Sequence, residues 1–434
     1  MRSVDKKTIL HYAVESKNVA CVKAILSLYP ESQRQQVVNT QDNLGKTIFH
    51  GTLTMVGVVN IACIDTILAL CPDPERWRAL TLQDIDGCTV LHHVAKSGNS
   101  AYFDINWLKA ILSHYPESER LRAVCLPARD GRTVLHCAAQ SGNLECFEFI
   151  LALYPESERL QALTTPTEDG MTVLHYVIDP MSSLYPNRID CFKKVFALYP
   201  ESELLPVVYL QDKYNSTILH HAAGSHECVQ LIMDALPASE HIQIVNMKDE
   251  EGKTVLHHAA SVASHEAIKY IVQLLPESER LLAVCTQDEE EGMSALHYAT
   301  FFNEIESTTY ILSSLPESQR LLAVCLQDRK GRSALHNATG DEYRTRDGEL
   351  LKAILTLLPE PDRLLAMNVQ NRKGNTVLDN MNEETRNTIK EWLSKSKNSG
   401  QKRSHASALQ DQEVDVDQPE AKRQRSQYGS VYEC

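Results

Sequence analysis

Nine histidines are the first residues in this chain that could do chemistry: His11, His50, His92, His136, His175, His220, His257, His297 and His336. They recur at intervals of roughly 37 to 45 residues, and three of them stand beside a second histidine, in the pairs His92-His93, His220-His221 and His257-His258. Imidazoles in such numbers invite a metal or acid–base reading. Neighbouring helix residues point about 100° apart, however, and equivalent positions on packed helices lie ~8 to 10 Å from each other. A zinc ion held at ~2 Å from each nitrogen would not span equivalent histidines of successive repeats. Spacings of the C-x-x-C, H-E-x-x-H, P-loop or G-x-S-x-G kind, which would supply a metal cage, a phosphate cradle or a nucleophile, do not occur. No catalytic residue, metal ligand or cofactor is therefore assigned. Recurrence at one position instead points to a structural hydrogen-bonding role.

The residue after each of these histidines varies: Tyr12, His93, Cys137, Tyr176, His221, His258, Tyr298 and Asn337, with Gly51 the exception. If the repeats stack, these residues form a stripe along one face, and Tyr and His combine an apolar body with a polar tip, as interface residues do. The stripe is a candidate protein-binding surface. Half-buried helix packing explains it equally well.

The elements that carry these residues are repeats. Gly131 to Ala139 reads GRTVLHCAA, and versions recur from Gly87, Gly170, Gly252, Gly292 and Gly331, with weaker copies from Lys7, Gly45, Asn215 and Gly374. About ten units of this period indicate a stacked solenoid in which each unit touches its neighbours. Apolar residues make up 43% of the chain and aromatics 6%, with Leu and Ala prominent, which suits close helix packing and an all-α class. In the unit from Asp130 to Val173, Asp130-Gly131 marks a turn, Thr133 an N-cap, and Leu135, Ala138 and Ala139 an apolar helix face; Gly142 closes that helix. Phe147, Ile150 and Leu151 give a second helix that Pro155 stops. A further repeated segment, PESERLRAVC from Pro116 and its relatives from Pro155, Pro276 and Pro316, places Pro at N1, Glu in the first turn and Leu and Val about three apart, which predicts a short third helix.

The T-x-L-H-x-A pattern resembles the ankyrin repeat signature over about 390 residues, with Val, Ile or Ala where the family has Pro. The resemblance implies an ankyrin-type repeat solenoid of about ten units, occupying residues 1–394, that binds a protein on its concave face. Insertions at Thr54 to Asn60, Pro180 to Asn187 and Asp341 to Asp347 would mark a binding face or plain surface loops. The last unit has Asp379 in place of His and a polar second helix with Trp392 and Leu393 as anchors, as expected of a terminal cap.

Formal net charge is −14; residues 395–434 hold seven Lys/Arg and six Asp/Glu, so the array carries −15. That balance disfavours a phosphate-binding surface and nucleic acid, and favours a protein partner with a basic face. No run approaches the ~18 apolar residues of a membrane span and no leader is apparent, so a soluble monomer is expected. The 12 cysteines fall into repeat register and are expected to be reduced and buried. Residues 395–434 read as a disordered charged tail. Lys422, Arg423 and Arg425 resemble a nuclear-localisation signal. The acidic stretch from Asp411 to Glu420, the hydrophobic residues near the C-terminus and the PESER-type linkers resemble the ankyrin effectors that intracellular bacteria inject through type IV secretion, which implies delivery to a host cell and its nucleus. An enzyme or enzyme adaptor with its site in the insertion Pro180 to Asn187 or Asp341 to Asp347, and a two-partner scaffold, are the competing expectations.

Overall fold

The protein is described by a computed structural model covering residues 5–52, 60–71, 76–100, 103–178, 188–341, 344–345 and 348–395. The tail, with Lys422, Arg423 and Arg425, lies outside the described residues, as do 53–59 and 179–187 within two of the expected insertions.

Ten units stack in sequence. In the fourth, Val134–Ser141 is an inner helix, Leu144–Leu151 an outer helix and Glu156–Thr164 the third helix. Inner helices pack on inner, outer on outer and third on third, giving three parallel layers. Buried apolar side chains from Leu10 to Ile389 form one connected core, so no unit covers its own apolar face alone. The inner helix begins where Thr133 caps it and ends at Gly142, whose φ of 67° turns the chain into Asn143. The Asn143 side chain then accepts the Cys146 amide and starts the outer helix.

The third helices form as expected, over Glu31–Val38, Glu117–Cys125, Glu201–Val208, Glu277–Cys285, Glu317–Cys325 and Glu360–Met367 among others. Their proline sits one residue earlier than N1: Pro116 is the N-cap, at φ −53° and ψ 144°, and Glu117 opens the helix. The ring thus fixes the entry to the helix, and its missing N–H would have had no partner there.

Among the described residues the inner helix of unit two is a 3-10 turn, His50–Thr52, ahead of the outer helix Ile61–Leu70, and that of the last unit is Val377–Asn380, followed by a helix over 383–395. There Ile389 is fully buried, a deeper anchor than the half-buried Trp392 and Leu393. Part of the third insertion is a two-residue hairpin, Gly340–Asp341 paired antiparallel with Arg344–Thr345. Among the described residues no helix is long and apolar enough to cross a membrane.

Candidate interaction surface

Nδ1 of each repeated histidine is taken by its own helix cap. His136 Nδ1 accepts from the Thr133 amide at 3.2 Å and lies 2.9 Å from the Thr133 hydroxyl, closing a capping box in which imidazole replaces the usual Glu or Gln. Because Nδ1 accepts an N–H, the ring proton is on Nε2, which donates to the Thr165 carbonyl at 3.1 Å, just past the third helix of the same unit. His220 reaches Met247 and His257 Thr286 in the same way, while His50 reaches Cys88 and His297 reaches Arg332 in the motif of the next unit. Burial pushes the His50, His92, His136, His220 and His257 imidazoles down to about 4, since the charged form would be stranded away from water. Desolvation lowers His175 further, to about 3. In the last unit Asp379 does the same capping with one carboxylate oxygen, 2.8 Å from the Thr376 amide and 2.7 Å from its hydroxyl.

The neighbouring stripe is more buried than a free binding surface would be. Cys137, Tyr176 and Asn337 are 2%, 6% and 5% exposed, so these three do not present side chains to a partner. His93, His221 and His258 are half-buried, and each ring nitrogen meets a turn aspartate: Asp84 at 2.7 Å, Asp212 at 2.9 Å and Asp249 at 2.7 Å. The Tyr298 hydroxyl donates to Asp288 at 2.8 Å. The rings also meet the preceding unit's histidine edge-on, as in His50–His93, His175–His221, His220–His258 and His257–Tyr298, with centroids 5.4 to 5.9 Å apart. Tyr12, 48% exposed in the first unit, remains largely open to solvent. The stripe is chiefly an inter-unit joint, and replacing Tyr176, His221 and His258 together would loosen the frame along with any contact.

The turn aspartates were not singled out in the sequence. Asp84 Oδ1 accepts the amides of Asp86 and Cys88 at 3.0 and 2.9 Å, while Oδ2 takes the His93 ring. Burial raises the Asp84, Asp212 and Asp249 carboxyls, but the histidine hydrogen bond and the turn amides outweigh it and leave all three below the usual carboxylate range. The unit from Asp130 lacks this residue: Ala128 stands there, and the stripe position opposite is the buried Cys137. The readable signal is the pairing of a turn Asp with His or Tyr nine or ten residues later.

At the junction of units two and three, ligand atoms of His50, Asp84 and His93 all lie within 4.8 Å of one another, closer than the spacing of equivalent helix positions implies. They come together because a repeated histidine meets the stripe residue, and not the repeated histidine, of the next unit. Both His50 nitrogens are nevertheless engaged, Nδ1 by the Thr47 amide and Nε2 by the Cys88 carbonyl. A metal at Nε2 would displace its proton to Nδ1 and break the helix cap. The donor set fits a hydrogen-bonded joint better than a metal centre.

Seven of the described cysteines are buried as expected, and Cys125, Cys285 and Cys325 are half-buried. The 11 described thiols form no disulfide, and burial raises those of Cys88, Cys137 and Cys146 to about 11 to 12. Cys21, grouped by register with the buried set, is exposed.

The third-helix arginines are a second feature that the motif alone did not disclose. Arg320 Nε donates to the Leu312 and Leu315 carbonyls at 3.1 Å each, and Nη1 to Leu357 of the next unit at 3.0 Å. Arg34 and Arg280 make the same two-unit bridge, to Leu70 and Ser314. The PESER segment thus closes the orphan carbonyls of two outer helices. Its outward positions leave Leu282, Leu322 and Leu365 about 60% exposed, a row of equivalent leucines on consecutive third helices.

Finger turns stack through a backbone ladder: Arg129 N–H donates to Asp86 at 2.9 Å, Glu250 to Tyr214 at 2.8 Å, and Arg372 to Lys330 at 3.1 Å. Glycine is required because the turn has φ +74° at Gly87, where a Cβ would lie 2.5 Å from the Arg129 nitrogen of the next finger. Charge varies at the tips: Glu250, Glu289 and Glu290 are exposed in the middle of the array, Arg329, Arg372 and Lys373 at its end, while Asp249 turns inward to His258.

A solenoid of capped helix pairs, joined by stacked fingers and locked by one histidine in each unit but the last, defines a repeat scaffold of the protein-binding class. The family model of ankyrin repeats in three copies matches residues 10–161, 190–279 and 238–320, and the chain belongs to the ankyrin repeat family. Ankyrin repeats are protein–protein interaction modules. Among solved structures the chain is similar to the ankyrin repeat domain of Bcl-3, described as a unique member of the IkappaB protein family, at 19% identity and TM-score 0.40 over 59% of this chain and 97% of that one. No curated protein matches the chain.

Proposed function

We propose that the protein is a non-enzymatic binding array, an effector that an intracellular bacterium delivers through type IV secretion and that grips a host protein as a monomer. The observation that carries the binding reading is the distribution of side chains: the repeated His, turn Asp and third-helix Arg are spent on holding units together, whereas the finger tips are exposed and free to vary. Glu250, Glu251, Glu289 and Glu290 would face a basic patch of the partner, with electrostatics setting orientation and the row of inner helices supplying shape. Lys422, Arg423 and Arg425 would direct the complex to the host nucleus.

Affinity capture from animal-cell lysate tests this with the full chain beside a variant carrying Glu250→Lys, Glu251→Lys, Glu289→Lys and Glu290→Lys. One stoichiometric host protein held by the first and lost by the second supports the reading; equal retention by both would remove the acidic fingers from it. The scaffold reading gains from the exposed Leu282, Leu322 and Leu365, which offer a second surface on the third-helix layer. Loss of a different protein on changing those leucines to Ser would establish two partners.

A further inference from the structure

The last units leave a groove of about 550 Å³ on the finger side, lined by Arg329, Lys330, Arg372 and Lys373 and by Phe301 and Asn337. Two of the cations near it are already answered: Arg332 by the buried Asp328 at 2.7 Å, and Lys330 by Glu291 at 2.6 Å. Arg329, Arg372 and Lys373 are exposed and have no ion-pair partner among the described residues. Like charges bunched on touching fingers repel unless an anion joins them, and the carboxylate on the groove wall, Asp379, is engaged by the Thr376 amide and hydroxyl.

We infer that this groove binds the acidic segment Asp411 to Glu420 of the chain's own tail. That segment has five carboxylates and no Lys or Arg in ten residues, although residues 395–434 as a whole are net positive. Glu413, Val414, Asp415, Val416 and Asp417 alternate, so an extended backbone puts three carboxylates on one side, about 7 Å apart, and the valines on the other. The carboxylates meet the two arginines and Lys373. The tail leaves from the helix over 383–395, which belongs to the unit that supplies Arg372 and Lys373. A flexible chain of fifteen residues, the number from 396 to 410, would have a root-mean-square span of about 20 Å and a reach of about 50 Å, so tethering makes a weak contact effective. Docking covers the basic end of the finger row and leaves the acidic middle open to another protein.

Carbodiimide coupling of the purified full chain tests the assignment, since it joins lysine amines to carboxylates in contact. Mass spectrometry should find Lys373 or Lys330 joined to carboxylates of 411–420 in a yield independent of protein concentration. The yield should fall about fivefold or more in 0.5 M salt and in the double variant Arg329→Ser, Arg372→Ser, whose exposed positions leave the fold intact. No such crosslink, an unchanged yield in the double variant, or crosslinks joining isotopically labelled to unlabelled chains would overturn the assignment, the last in favour of a second copy. Independently, a synthetic peptide of residues 409–421 should bind the full chain with Asp411→Asn, Glu413→Gln, Asp415→Asn, Asp417→Asn and Glu420→Gln about tenfold more tightly than wild type, whose groove is occupied. Equal binding to both would also overturn it.

Discussion

Mild acid should unfold this array through its buried histidines. An imidazole lowered from 6.5 to about 4 on folding is neutral in the native state and takes up a proton on unfolding, so its stabilisation is present above pH 6.5 and is lost as pH falls towards 4. Between pH 7 and about 5.5 each such group gives up about 1.2 kcal/mol by that linkage. For His50, His92, His136, His220 and His257 the sum is about 6 kcal/mol, a large part of the stability of an ordinary domain. The geometry explains the sign, because a proton on Nδ1 would face the cap amide that this nitrogen accepts. Surface charge works in the opposite direction, since a chain at −14 loses net charge as acid is added. The turn aspartates stay ionised in this window, being held below the usual carboxylate range. Urea titrations followed by far-ultraviolet circular dichroism at the two pH values measure the loss. His257→Gln, which keeps an N3 side chain able to cap and cannot titrate, should reduce the loss by about 1.2 kcal/mol. A wild-type array equally stable or more stable at pH 5.5, or a variant with the same pH dependence as wild type, would refute the reasoning.

Three further outcomes are expected. Gly87→Ala meets the backbone of the next finger and a φ of +74°, whereas Gly374→Ala meets only the φ of +77° with nothing within 4 Å of its Cβ. Thermal or urea unfolding should therefore show a cost of about 1 kcal/mol for Gly374→Ala and at least about twice that for Gly87→Ala, and equal costs would discard the stacking explanation. Arg320→Ala should cost about 2 kcal/mol, and Arg320→Lys nearly as much, because a point ammonium does not bridge three carbonyls as the guanidinium fork does; full rescue by Lys in the same melts would contradict this. In native alkylation read by peptide mapping, Cys21 should react quickly while Cys137 and Cys146 react only after denaturant is added, and rapid native labelling of Cys137 would return it to the surface.

The amino-acid sequence alone determined the number and order of the units, the helix boundaries at Thr133, Gly142 and Pro155, and the presence of a third helix, because caps, breakers and apolar periodicity act over a few residues and are written locally. It also showed that the repeated histidines have a structural purpose, since one residue type at one helical position serves the unit and not a single site. What His136 bonds to lies 29 residues away, past two further helices, and which rows face solvent depends on how units stack. Only the tertiary structure therefore decided that Cys137, Tyr176 and Asn337 are buried, that His93, His221 and His258 are tied to turn aspartates, and that Cys21 is open. It likewise gathered Arg329 and Arg372, 43 positions apart in the chain, at one groove through the stacking of the fingers. Local signals specify each unit; the burial and pairing of a side chain are properties of the junction between two.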